Sequence, residues 1–251
     1  TFLVGRHDTP LKISTGKLDM FADTMADYNY TVGFDDVRAS NAIAYISPNF
    51  SGFTFAGAVV APGTEGRYND MYNYNIPVDN FGDGLAEAWS VAGMYSNGPF
   101  FASIAYENLG SKLWNGYNNL YQPLYGTTAD DDTKWRVGLG LLDWNGFTLS
   151  GVYEDRSNVL GAPDNSDAKL WQIQTAYAFG NNMVKAMYGQ MQLDSCADPA
   201  GAGFNLTCQW GLGLVENQNK ETWAIGFDHN FSKRTTAYAL YTALSDDIDN
   251  A

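Results

Sequence analysis

Asp19, Asp23 and Asp27 recur at every fourth position, the spacing that stacks side chains along one face of a helix. Leu18, Phe21, Ala22 and Met25 interleave with them at helical spacing and would gather a separate apolar face. A short helix of that kind can lay its apolar side on a wall and hold carboxylates out to water. It can equally be a solvated loop helix with an acidic face, and the stretch by itself leaves both readings open.

Cations that could face those carboxylates lie elsewhere in the chain. Arg38 shares the small, polar side of an alternating segment with Ser40, and Lys134, Arg136 and Lys185 occupy positions of the same kind. Arg6 lies in the opening segment. Carboxylates opposed to such cations across a narrow aqueous passage would set up a transverse field, which discriminates solutes by charge and polarity. For Lys134 and Lys185 the competing reading is a rim lysine whose stem lies on apolar surface while its ammonium reaches water.

Other chemistry finds little support. His7 and His229 are the only histidines, in unrelated contexts, so no catalytic triad can be assembled and no enzyme is predicted. No Cys/His ligand cluster suggests a metal or cofactor. Cys196 and Cys208 share a Gly/Pro/Asn-rich stretch, which reads as a disulfide formed in an oxidising compartment, with two free thiols as the alternative. The runs Asp130–Asp132 and Asp246–Asp247 read as solvated loop charges rather than cation sites. With 28 acidic against 14 basic residues and a net charge of −14, nucleic acid is excluded as a partner, since phosphate binding needs basic patches. Acidic loops would instead enrich cations at the mouth of a passage and give a weak cation preference.

The elements that must position these groups are strands. No apolar run approaches the roughly 20 residues of a membrane-spanning helix. Short turns fall at 49–52, 97–99, 145–146, 180–182 and 232–234, each between two alternating segments. Long polar stretches at 62–84, 110–132, 157–168 and 193–219 separate these hairpins, and another, 8–36, precedes the first. Tight turns at one rim and long loops at the other are the layout of a membrane barrel. Trp135, Val137, Leu139 and Leu141 alternate with Lys134, Arg136, Gly138 and Gly140, and Trp171, Ile173, Thr175 and Tyr177 alternate with Gln172, Gln174 and Ala176. Aromatics recur beside the turns, at Phe53, Tyr95, Phe100, Phe147, Phe179 and Phe231, as interfacial girdles require.

The expectation is an all-β, transmembrane antiparallel barrel of a single domain, with bulky apolar side chains in lipid and small polar ones around water. A secreted, soluble β-rich carbohydrate-binding module is the alternative. One opening strand and five hairpins make about 11 strands. An odd count with open edges is not viable in lipid, and no leader or initiator Met precedes Thr1, so the chain is read as incomplete at both ends.

Several runs resemble the Gram-negative general porins of the neisserial and proteobacterial type. They are Gly5-Arg6-His7-Asp8-Thr9-Pro10-Leu11-Lys12, Arg38-Ala39-Ser40-Asn41, Tyr45-Ile46-Ser47-Pro48 and Phe50-Ser51-Gly52-Phe53, with Asp228-His229-Asn230-Phe231-Ser232-Lys233-Arg234-Thr235 near the end. The resemblance implies a homotrimeric outer-membrane barrel of about 16 strands that passes ions and small hydrophilic solutes by passive diffusion. Its surroundings would be outer-membrane lipid and lipopolysaccharide. This chain would supply roughly the fifth to the fifteenth strand. Residues 8–36 would be the long loop, carrying a short helix, that folds inward to narrow the pore. On that template Arg6, Asp19, Asp23, Asp27, Arg38, Lys134, Arg136 and Lys185 are the expected constriction set.

Overall fold

The computed structural model describes residues 1–61, 85–110, 131–159, 167–194 and 218–248. Eleven strands form one antiparallel sheet in chain order: β1 (Phe2–Asp8), β2 (Arg38–Ile46), β3 (Phe53–Val60), β4 (Ala88–Asn97), β5 (Phe100–Asn108), β6 (Thr133–Trp144), β7 (Phe147–Ser157), β8 (Asp167–Phe179), β9 (Asn182–Asp194), β10 (Gln218–Ser232) and β11 (Thr235–Ile248). The number and order are those predicted from the turns. The later strands are longer than the predicted segments, reaching 15 residues in β10. Asn145 and Gly146 both adopt positive φ, 53° and 85°, the conformation a two-residue hairpin turn demands.

Which way the alternation points is settled by exposure. Leu139, Ile173 and Tyr177 are 60%, 52% and 49% exposed, whereas Lys134, Arg136, Gln172 and Gln174 are at most 1% exposed. A soluble β-protein would bury the first group and solvate the second, so the carbohydrate-binding module has no support here. The outward face also carries a Trp/Tyr belt. Trp89–Tyr106, Trp135–Tyr153, Trp171–Tyr188 and Trp223–Tyr241 have ring centroids 5.1, 5.2, 5.5 and 5.2 Å apart, and β4 to β11 each contribute one ring. Amphipathic rings in a row at one level suit a membrane interface.

What covers the inward face is the chain between β1 and β2. Thr9 donates its backbone N–H to Val37 O at 3.1 Å and closes the base of this inner segment, 9–37. It contains two short helices, α1 (Pro10–Thr15) and α2 (Tyr28–Thr31). Pro10 opens α1, where its missing N–H costs nothing, and Thr9 caps it.

A short helix in this segment was expected, but across Leu18–Asp27, and there the chain turns instead. Asp19 Oδ1 accepts the Phe21 N–H at 2.9 Å and Asp19 Oδ2 the Tyr28 N–H at 3.4 Å. Asp27 takes the N–H groups of Asp23 and Asn29 and caps α2. Asp23 adopts φ 60°. Side-chain carboxylates that capture local backbone N–H groups compete with the helical ladder, so the same aspartates that suggested a helix break it. No column of three carboxylates forms.

The core lies between this segment and the wall. Leu18, Tyr28, Val32 and Phe34 pack with Val152, Leu170, Met191 and Leu193. Phe21 and Ala26 pack with Met187 and Ala224, and Leu11 with Ala56, Ala92 and Ala105.

Candidate functional site

The inner segment crosses the concave face of the sheet from β3 to β10 and returns. On its outward path Leu11 N–H donates to Ser90 Oγ of β4 at 3.0 Å, and Ser150 Oγ of β7 donates to Leu18 O at 2.8 Å. Met20 N–H donates to Gln174 Oε1 of β8 at 2.7 Å. Gln174 Nε2 in turn donates to Asp19 Oδ1 at 2.9 Å. Lys185 of β9 donates to Met20 O at 3.0 Å, pairs with Asp228 of β10 at 3.1 Å and sits 4.9 Å from the Phe21 ring centroid.

The return path is held by ions. Arg136 of β6 donates from Nη1 to Asp36 Oδ1 at 2.6 Å and to Thr15 Oγ1 at 2.9 Å. Its Nε donates to Glu154 Oε2 of β7 at 2.6 Å. The same guanidinium lies 5.0 Å from the Phe34 ring centroid. Lys134 donates to Asp35 O at 2.7 Å and lies 3.3 Å from Glu107 Oε1 and 3.6 Å from Asp35 Oδ2. Arg156 of β7 pairs with Asp132 at 3.1 Å and Asp35 at 3.7 Å. Tyr28 OH donates to Asp36 Oδ2 at 2.6 Å. Three wall cations thus bind two adjacent aspartates of the segment, and charges buried this deeply persist only when paired and hydrogen-bonded.

Two loop groups are shifted by this burial. Burial raises the Asp19 carboxyl to about 6 against the pull of the Gln174 and Phe21 donors, and neighbouring Asp27 adds to the rise. The Tyr28 phenol is pushed above its ordinary range by burial first and the Asp36 carboxylate next.

The predicted residues divide into three groups. Lys134, Arg136 and Lys185 are inward, as the alternation required, but they lie beneath the segment and bond to it. Asp19 and Asp27 are buried within the segment as backbone brackets. Asp23, Arg6 and Arg38 are exposed. Arg6 sits where the register of β1 and β2 shifts, and Arg38 Nε lies 3.8 Å from Asp8 Oδ1, which Lys12 also approaches at 3.4 Å. Asp23, Met25 and Tyr30 of the segment are exposed, and so is Lys17, whose Nζ lies 5.7 Å from the centroid of the Phe101 ring of β5. Cys196 and Cys208 lie outside the described residues, as does Asp130.

Sequence reasoning missed Asp35, Asp36, Glu107, Glu154 and Arg156, and it read Asp132 as a solvated loop charge, whereas the structure buries it against Arg156. Period two could have found three of them. Glu154 and Arg156 continue the inward row of Ser150 and Val152, and Glu107 continues that of Ser103 and Ala105.

Comparison with known proteins agrees with this arrangement. A family model described as Gram-negative porin matches residues 1–249. No curated protein matches significantly. Among solved structures, the anion-selective porin from Comamonas acidovorans superposes with a TM-score of 0.62 at 16% identity, over 98% of this chain and 63% of that one. The outer membrane channel DcaP of Acinetobacter baumannii gives 0.61 at 14% identity, over 98% and 66%. A loop L8 deletion mutant of OmpT, an outer membrane protein of Vibrio cholerae, gives 0.60 at 13% identity, over 99% and 71%. The chain therefore spans about two thirds of the length of the solved structures it resembles, and at these identities the likeness concerns the fold.

Proposed function

The chain belongs to the Gram-negative porin family, and from that premise we propose that the whole protein forms a water-filled channel for passive diffusion of ions and small hydrophilic solutes. Its place is the bacterial outer membrane. The observation that carries the channel reading is the inward-folded segment 9–37, held by Lys134, Arg136 and Arg156 against the polar face of a sheet whose other face is apolar. Family and fold fit a channel rather than an enzyme.

In this reading segment 8–36 is the constriction loop of a single barrel domain, and seven of the eight predicted residues act in two ways. Lys134, Arg136, Lys185, Asp19 and Asp27 hold the loop's shape and position. Asp23 and Arg38, both exposed, act on permeating ions directly, together with Lys17, whereas Arg6 continues the exposed row of Phe2 and Val4 on β1. The net charge of −14 favours cations weakly at the mouth. The whole protein assembles as a homotrimer among outer-membrane lipid and lipopolysaccharide.

Reversal potentials in a salt gradient across a planar bilayer, for the full-length protein, test the assignment. Asp23→Asn should lower cation preference and Arg38→Gln should raise it. Unchanged selectivity in both variants would remove these two residues from the permeation path.

A further inference from the structure

Glycines of the wall lie directly under buried side chains of the inner segment. A Cβ built on Gly138 would lie 2.5 Å from Leu18 Cδ1, 2.7 Å from Ser103 Oγ and 3.0 Å from Thr15 Cγ2. On Gly140 it would lie 2.8 Å from Leu18 Cδ2, and on Gly189 it would lie 2.6 Å from Val32 Cγ2. Real Cβ atoms do not approach other atoms so closely, and dense packing transmits such a clash as displacement. Leu18 is fully buried and Val32 nearly so. Val32 is also β-branched and cannot turn aside cheaply. By contrast, a Cβ on Gly57 of β3 meets nothing within 4 Å.

We propose that Gly138, Gly140 and Gly189 are sockets that set how deeply the inner segment sits against the wall, and so are positioning residues for the width of the channel. This rests on the reading of the segment as the constriction. Leu18 fills the socket formed by Gly138 and Gly140 at the far end of α1, and Val32 fills that of Gly189 just past α2. The ion pairs to Asp35 and Asp36 fix the return path and hydrogen bonds to Leu11, Leu18 and Met20 tether the outward path, while the sockets set how closely Leu18 and Val32 approach the wall. Filling a socket lifts the segment from the wall towards the lumen without touching any charged group.

The test uses the full-length protein and two readouts. One is single-channel conductance, and the other is hydrogen exchange of the amides of 16–26, where Met20 N–H is bonded to the wall. Gly138→Ala and Gly189→Ala should each lower conductance and speed exchange, with the heat resistance of the folded barrel retained. Gly57→Ala should change neither readout. Pairing Gly138→Ala with Leu18→Ala, and Gly189→Ala with Val32→Ala, should restore both readouts towards the parent values. Unchanged exchange in the single variants, or paired variants worse than the singles, would overturn the sockets. Faster exchange with unaltered conductance would leave the sockets standing and overturn the constriction reading instead.

Discussion

Arg136 and Asp36 meet at 2.6 Å, joining the middle of the wall to the return path of the inner segment where neither side chain is more than 5% exposed. Glu154 holds the other side of the same guanidinium at 2.6 Å. The pair therefore fixes the segment to β6 and β7 together.

Removing that cation strands two buried carboxylates. Arg136→Met should destabilise the folded protein by about 3–5 kcal/mol, the usual cost of breaking a buried ion pair from one side. The midpoint of guanidinium unfolding, followed by tryptophan fluorescence in lipid, measures it. A loss below about 1 kcal/mol, the level of an exposed pair, would contradict the geometry.

Asp19 makes the seating of the segment sensitive to pH. Burial raises its carboxyl from 3.8 to about 6, so the docked segment holds a proton that the undocked one has released between those values. The contribution of Asp19 to docking is then fully present below about pH 4 and is lost as pH rises through 6, a loss of about 3 kcal/mol. The groups around Asp19 are Gln174 on the wall and Asp27 on the segment, and Asp27 reinforces the shift. Open-channel noise should accordingly grow from pH 5 to pH 7 in the parent and stay flat in Asp19→Asn. Noise that rises on acidification would reverse the sign and refute this.

The outward face should behave as a lipid surface. Ile173 lies mid-strand on β8 and is 52% exposed. Ile173→Arg should cost about 2–4 kcal/mol when the protein is folded into lipid vesicles, the expected penalty for arginine near the bilayer midplane. A soluble β-protein would tolerate the same exposed substitution within about 0.5 kcal/mol.

Most of the fold was legible because strands alternate strictly and turns carry their own chemistry. Asn145-Gly146 marks a hairpin without reference to anything distant, and Trp135 against Arg136 shows two faces within two residues. Alternation alone did not tell lumen from lipid; the small, polar second face, the contrast of tight turns with long loops, and the aromatics at strand ends did. The inner segment was harder. Asp19, Asp23 and Asp27 have helical spacing, yet what they bond is set by how Gln174 and the Tyr28 amide approach, and both depend on tertiary placement. Arg136 was legible as inward, but its burial depends on Asp36, far away in sequence, folding onto it.

The most direct test of the account is the conductance of the full-length protein with residues 17–26 replaced by a short Gly-Ser linker. A segment that narrows a water-filled channel predicts larger single-channel conductance and weaker ion discrimination in the shortened protein. Equal conductance in parent and variant, or none in either, would contradict it.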